Sequence, residues 1–106
     1  MEDRQRILAV PLNKQGMIDD NYGIESDNIK YVDFPTKEFD YMFGRLTHEI
    51  NLITGVFIDD YEAKELTADE CKKCYKTVEK HKDKIPVFWE MFNLAIEKNT
   101  LLATYC

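Results

Sequence analysis

Hydrophobic and polar positions along the chain separate into short alternating or wholly apolar stretches and longer stretches with helical periodicity. The short stretches predict four β-strands, at residues 6–12, 29–34, 56–58 and 101–105. Pro11 has no amide hydrogen to donate, so it must lie at an edge or an end of the sheet. Residues 13–28, with Gly16 and Gly23, predict a loop or loose hairpin. We expect four apolar side chains to anchor it to the rest of the domain. These are Met17, Ile18, Tyr22 and Ile24.

Three longer segments repeat their apolar residues every third or fourth position, which predicts three helices. The first runs from Thr36 to about Ile53. The second begins at a capping box formed by residues 67–70, and its apolar stripe includes both cysteines. The third has Pro86 at its first position, ends at Asn99 and should be the most buried. The pattern therefore predicts a single α+β domain in which three helices pack on a small, mostly antiparallel sheet.

Composition limits the classes of partner. The 106 residues fit one domain, and 20 acidic against 14 basic side chains give a formal net charge of −6. Nucleic acids and anionic membrane surfaces would be repelled on average, so a basic protein is the favoured partner. No apolar stretch approaches the roughly 20 residues of a membrane span, and the charged start does not resemble a signal peptide. Three cysteines do not form a disulfide framework, which favours the cytoplasm.

The most concentrated charge lies in residues 58–70, which contain six carboxylates and one lysine. Like charges at this density repel one another unless a positive surface meets them. The alternative is a solvated loop and helix start. A calcium-binding loop that begins at Asp59 is disfavoured, because such a loop requires glycine at its sixth position, where Lys64 stands. A catalytic carboxylate pair at Asp59 and Asp60 is also disfavoured, because adjacent side chains on a strand point to opposite faces. From this charge we predict a partner-binding site made of Asp59, Asp60, Tyr61, Glu62 and Glu65. Asp19 and Asp20 form a second predicted acidic patch.

Cys71 and Cys74 are three residues apart, a spacing that also occurs in redox motifs. Both fall on the apolar stripe of the second helix, so buried free thiols are the favoured interpretation. A zinc site that adds His81 and Cys106 would have one close ligand pair where a typical motif has two. Neither His48 nor His81 stands in a catalytic or metal-binding pattern. We therefore predict no enzyme activity, no catalytic residue, no cofactor and no metal.

The order of segments resembles that of bacterial immunity proteins from contact-dependent and polymorphic toxin systems. The resemblance covers residues 36–106: a helix, the Ile-Asp-Asp-Tyr-Glu segment at 58–62, a capped helix, and then the segment from Pro86 to Leu102. It implies a cytosolic protein that binds a cognate toxin and blocks its active site or its access to substrate. It assigns no individual site residue.

The function hypothesis is a non-enzymatic inhibitor that binds a basic toxin domain through its acidic surface, with Tyr61 as an aromatic anchor. Two alternatives remain. One is a structural or adaptor subunit with an apolar interface on the helix from Val87 to Ile96. The other is a thiol or zinc protein built on Cys71 and Cys74.

Overall fold

The computed structural model describes residues 6–42, 46–54 and 64–105. Within them, four strands, six α-helices and one short 3-10 helix form an α+β domain, with a Cα radius of gyration of 12.9 Å. That radius is the one expected of a compact domain of about 100 residues. The elements are β1 (Ile7–Pro11), α1 (Lys14–Asn21), β2 (Ile29–Asp33), α2 (Thr36–Met42), α3 (Leu46–Thr54), β3 (Lys64–Thr67), α4 (Ala68–Lys73), α5 (Tyr75–Glu79), the 3-10 helix (Lys82–Lys84), α6 (Pro86–Lys98) and β4 (Leu101–Tyr105).

The four strands form one antiparallel sheet in the order β2-β1-β4-β3. Pro11 ends β1, where it is paired with β2 alone, so its missing donor leaves no gap in the β4 ladder. Successive side chains point to opposite faces. Leu8 and Val10 thus face the large core, whereas Ala9 faces the other side with Ala103 of β4.

The inner face of the sheet carries the main core, and α6 covers it. Phe88, Met91, Phe92 and Ala95 of α6 are all buried. The described part of the first predicted helix buries five residues, so the prediction that α6 is the most buried helix is wrong. Phe92 stacks near Phe88 and Trp89, with ring centroids 5.9 Å apart in both pairs. Fully burying a side chain of this size stabilises a fold by roughly 1.5–3 kcal/mol. The prediction that these aromatics are core residues is confirmed, with Trp89 partly buried at its margin.

A carboxylate from α2 caps the N-terminus of α6. Pro86 lies in the first turn, and Ile85 at the cap position offers no side-chain acceptor. Glu38, which is buried, supplies one: its carboxylate oxygens accept hydrogen bonds from Val87 N at 3.2 Å and Phe88 N at 3.0 Å. A negative charge at this helix end meets both the free amides and the dipole. Glu38 therefore fixes α2 to α6.

The three-helix prediction is too coarse. The described residues of the first predicted helix form α2 and α3, on either side of residues 43–45, which lie outside the described part of the chain. Phe39, Met42, Leu46 and Ile50 are buried as the periodicity indicates, and Ile53 is 43% exposed. The second predicted helix is interrupted at Cys74, whose φ of −101° and ψ of 11° lie outside the helical region. Its start is confirmed, since the Thr67 hydroxyl and the Glu70 carboxylate form the capping box. The left-handed Asn99, with φ of 55°, ends α6 as predicted.

Two strand and loop predictions also need correction. Residues 13–28 contain α1, because the Asn13 side chain caps a helix by accepting from Gly16 N at 2.8 Å. The third strand of the sheet is Lys64–Thr67, within the predicted acidic loop, while the stretch 56–58 lies outside the described residues. In the described part of the chain, no helix has the length and apolar character needed to cross a membrane.

Candidate functional site on the outer face of the sheet

The outer face of the sheet is bordered by exposed apolar side chains. Most of the large hydrophobic residues found exposed in the described chain lie between residues 17 and 31, in α1, the following loop and β2. They are Met17 at 37%, Ile18 at 49%, Tyr22 at 73%, Ile24 at 53% and Tyr31 at 40%. The first four were predicted to anchor this segment, and that prediction is wrong. A cluster of exposed apolar side chains on a small protein is typical of a binding surface.

Polar contacts and one glycine hold α1 against the sheet in place of these side chains. A Cβ added to Gly16 would fall well inside van der Waals contact with the Asn28 carbonyl oxygen, so the close approach requires glycine. Leu12 N donates to that same oxygen at 2.8 Å, and Asn13 Nδ2 donates to Asn28 Oδ1 at 3.0 Å. The segment can therefore leave its apolar side chains in solvent.

Asp19, one of the predicted partner-binding residues, is part of this internal network. Hydrogen bonds from the side chains of Ser26 and Gln15 lower the pKa of its carboxyl group, and Asn28 adds a weaker one. Gln15 Nε2 lies 2.9 Å from Asp19 Oδ1, and Asp19 O accepts from Ile24 N at 2.8 Å. Asp19 consequently holds the loop after α1 in place and has little free hydrogen-bonding capacity for a partner.

Two other predicted residues, Asp20 and Glu65, meet across the outer face. Glu65 lies on β3 opposite Ala103, which is aligned with Ala9 of β1 and then Tyr31 of β2. This row places Glu65 and Tyr31 on one face, separated by two alanines, and about 14 Å apart at the usual strand spacing. Partial burial, followed by the negative charge and a side-chain hydrogen bond of Asp20, raises the pKa of Glu65. α1 therefore brings one carboxyl group to the edge strand that carries the other.

A cavity of about 430 Å³ opens on this face between the sheet and the loop after α1. Its described lining contains no lysine or arginine. The lining residues are Ile7, Asp20, Gly23, Ile24, Glu25 and Tyr31. Burial, and then the negative charges of Glu25, Asp20 and Asp19, raise the pKa of the Tyr31 hydroxyl. The cavity thus combines apolar walls with a negative potential.

The four remaining predicted binding residues lie outside the described residues: Asp59, Asp60, Tyr61 and Glu62. They precede β3 in the chain. Of the seven residues predicted, the structure thus brings Asp20 and Glu65 together and gives Asp19 a positioning role. It leaves the other four as predictions.

Sequence reasoning missed five residues of the cavity: Ile7, Gly23, Ile24, Glu25 and Tyr31. The alternation along β2 did place Tyr31 on the same face as Ile29, which is the one signal that could have indicated it. Ile24 and Glu25 follow a glycine in a segment without periodicity, so nothing in the sequence distinguished them from ordinary loop residues.

The thiols are buried, as predicted. Cys71 and Cys74 have no exposed surface, and their sulfurs face backbone carbonyls, with Cys74 Sγ 3.3 Å from Glu70 O. Burial raises the pKa of Cys71 to about 12 and that of Cys74 to about 11. Thiols with such pKa values hold little thiolate at neutral pH and are poor nucleophiles. No group of three or more metal-ligating side chains occurs among the described residues, and Cys106 lies outside them.

His81 has a structural partner. Its Nδ1 lies 2.8 Å from the Tyr41 hydroxyl, and the two rings are tilted at 60°. This contact joins α2 to the turn after α5.

Comparison with known proteins returned no match: no protein-family model, no curated protein and no solved structure is similar to this chain.

Proposed function

We propose that this protein is a non-enzymatic, immunity-type inhibitor that binds a basic toxin domain through the outer face of its sheet. The surface concerned, called the outer surface below, consists of exposed or half-buried side chains of α1, the loop after it, β2 and β3. They are Met17, Ile18, Asp20, Tyr22, Ile24, Glu25, Tyr31 and Glu65. The observation that carries the proposal is the combination, in one region, of exposed apolar side chains with carboxylates.

Both halves of that combination contribute to binding a basic protein. A few anchor side chains, often aromatic, provide most of the affinity of a typical interface, and carboxylates provide complementary potential that speeds encounter and excludes wrong partners. Tyr22 is the most exposed aromatic side chain of this surface and has only two side-chain torsions to order on binding. The net charge of −6 adds a long-range attraction toward a positive partner.

The adaptor alternative placed an apolar interface on α6, between Val87 and Ile96. The apolar side chains of α6 are instead directed to the core: four are buried, and Val87, Trp89, Leu94 and Ile96 pack against it while partly buried. The thiol alternative has the buried cysteines against it. The outer surface, which neither alternative uses, provides the better interface.

A capture experiment with charge-matched variants tests the proposal. The site variant Asp20→Asn/Glu25→Gln/Glu65→Gln removes three carboxylates of the outer surface. The control variant Glu79→Gln/Asp83→Asn/Glu97→Gln removes three exposed carboxylates of α5, the 3-10 helix and α6, so both carry the same net charge. Each is immobilised and exposed to host-cell extract at 50 and 300 mM salt.

We expect the wild type and the control variant to retain the same basic protein, with weaker retention at high salt, and the site variant to lose it. The retained protein, expressed alone, should stop growth, and co-expression of the wild type should restore it. Equal retention by all three proteins at both salt concentrations would contradict binding by the outer surface. A retained protein without growth-inhibiting activity would contradict the immunity role.

A further inference from the structure

The lining of the cavity on the outer surface restricts which positively charged groups can bind there. Ile7 and Ile24 give it aliphatic walls, Tyr31 an aromatic one, and Asp20 and Glu25 carboxylates. Its volume of about 430 Å³ lies within the range of sites that enclose a small ligand or one large side chain. A ligand that matches the lining must therefore have an apolar stem and a cationic head.

Two carboxyl groups of the cavity lining can meet a cationic head. Asp20 comes from α1 and Glu25 from the loop after it, and each carboxylate presents two oxygens on one group. A guanidinium group has five N–H donors in a planar fork, and it binds paired carboxylate oxygens with two parallel hydrogen bonds. An ammonium group is a point charge with three donors and cannot match that geometry.

Tyr31 adds a second feature that favours a planar cation. Tyr31 lines the cavity and is 40% exposed, so part of its side chain is accessible to a ligand. Guanidinium groups stack on aromatic faces. The three methylene groups of an arginine side chain would lie along Ile7 and Ile24.

We propose, on the basis of the proposed function, that the cavity receives one arginine side chain of the basic partner, with its guanidinium beside Asp20 and Glu25 and over the ring of Tyr31. The arginine is then the central anchor of the interface, surrounded by Tyr22 and the other exposed apolar side chains. It would be enclosed on several sides, as hot-spot residues generally are.

The test uses the protein alone and two small probes of nearly identical shape. Protein labelled at isoleucine methyl groups and tyrosine rings is titrated by NMR with the Nα-acetyl methylamide of arginine, and separately with that of citrulline, which is uncharged. We expect saturable shifts at Ile7, Ile24 and Tyr31 with the arginine probe, and at least tenfold weaker binding of the citrulline probe. The lysine derivative should also bind several-fold more weakly.

Single variants localise the effect. Glu25→Gln and Asp20→Asn should each weaken binding of the arginine probe about five- to tenfold, whereas Glu79→Gln should leave it unchanged. The spectrum of each free variant reports whether it is folded, and Tyr31→Leu, with an expected loss of about threefold, provides a test that leaves the carboxylates intact. Equal binding of the arginine and citrulline probes, or shifts spread over the whole acidic surface, would overturn the inference. Equal binding of arginine and lysine would overturn the role of the planar fork.

Failure of this inference can be distinguished from failure of the proposed function. If the charge-matched capture experiment succeeds but the arginine probe does not enter the cavity, the partner binds the outer surface without an inserted arginine. If the probe binds but no basic protein is retained, the proposed function is wrong.

Discussion

The two faces of the sheet are built on opposite principles. The inner face carries large side chains, Leu8, Val10 and Leu102, beneath the aromatic residues of α6, and the described core there is closed to solvent. The outer face carries Ala9 and Ala103, is covered by a short helix held through polar contacts, and exposes tyrosines and isoleucines at its border. Burial of large apolar side chains stabilises the fold, so the inner face accounts for most of the stability. The outer face is therefore free to present side chains for binding.

The largest effect should come from breaking the inner face. Phe92→Ala removes a fully buried ring that stacks against Phe88 and Trp89. We expect a loss of about 3–5 kcal/mol in the free energy of unfolding, since the lost transfer energy and the resulting cavity both contribute. Tyr22→Ala on the outer surface, where the ring is 73% exposed, should change stability by less than about 0.5 kcal/mol.

Urea unfolding followed by tryptophan fluorescence and circular dichroism measures both variants. If Tyr22→Ala destabilised the protein as strongly as Phe92→Ala, the division between a stabilising face and a binding face would be wrong. If Tyr22→Ala kept its stability but lost the captured partner, the division would be sharpened.

A smaller effect is expected where α1 meets the sheet. Gly16→Ala places a methyl group against the Asn28 carbonyl, which is held in place by its hydrogen bond from Leu12 N. Overpacking of this kind costs about 1–3 kcal/mol, and the gain in helix propensity, about 1 kcal/mol, offsets only part of it. We expect α1 to shift away from the sheet and the cavity to change shape.

Gly23 provides the matched control. Its φ of 71° disfavours a side chain, yet a Cβ there would have no neighbour within 4 Å. Gly23→Ala should therefore cost about 1 kcal/mol from backbone strain alone, and Gly23→Asn less, because asparagine tolerates the left-handed region. Urea unfolding compares the three variants, and backbone amide shifts of residues 12–28 report the displacement of α1. A Gly16→Ala variant with unchanged stability and unchanged shifts would contradict the close packing of α1.

The same contrast explains how much the sequence could predict. The elements that form the core were predictable because their sequence signals are local. Apolar residues recur every three or four positions in α6 and every second position in β2, and the capping box at Thr67 involves residues only three positions apart. α1 was not predictable in this way, since it packs through Gly16 and a network centred on Asn28 rather than through an apolar stripe. The one local signal was Asn13, a residue type that often caps helices.

Long-range contacts account for the rest of what the sequence left open. The contact of Glu38 with the first turn of α6 joins residues about 50 positions apart, and that of Asp20 with Glu65 joins α1 to the far edge strand. Charge density selected Glu65 and Asp20 as candidate residues, but it could not show that the two lie close together. Nor could it show that Asp19, adjacent to Asp20, is bound to its own loop.

The smallest expected effect concerns the carboxyl groups of Asp20 and Glu65. Here the substitution Glu65→Gln should raise the free energy of unfolding, whereas Phe92→Ala and Gly16→Ala should lower it. The pKa of folded Glu65 is raised above its ordinary value of 4.5. Such a group contributes stability that is fully present below about pH 4.5 and is lost as the pH rises through the folded pKa. Glu65→Gln stays neutral at every pH. It should therefore match the wild type in acid and exceed it at neutral pH, by about 0.5 kcal/mol once solvent screening is considered.

Urea unfolding at pH 4 and pH 7 measures this difference, with Glu79→Gln as the control for removing one charge from a protein of net charge −6. In an Asp20→Asn background the gain should shrink to the part that comes from partial burial of Glu65, because the like charge is gone. If Glu65→Gln raised the free energy of unfolding equally at pH 4 and pH 7, or equally with and without Asp20→Asn, an interaction between the carboxyl groups of Asp20 and Glu65 would be contradicted. Two repelling carboxylates on one face lower stability, and under the proposed function a positive side chain of the partner restores it.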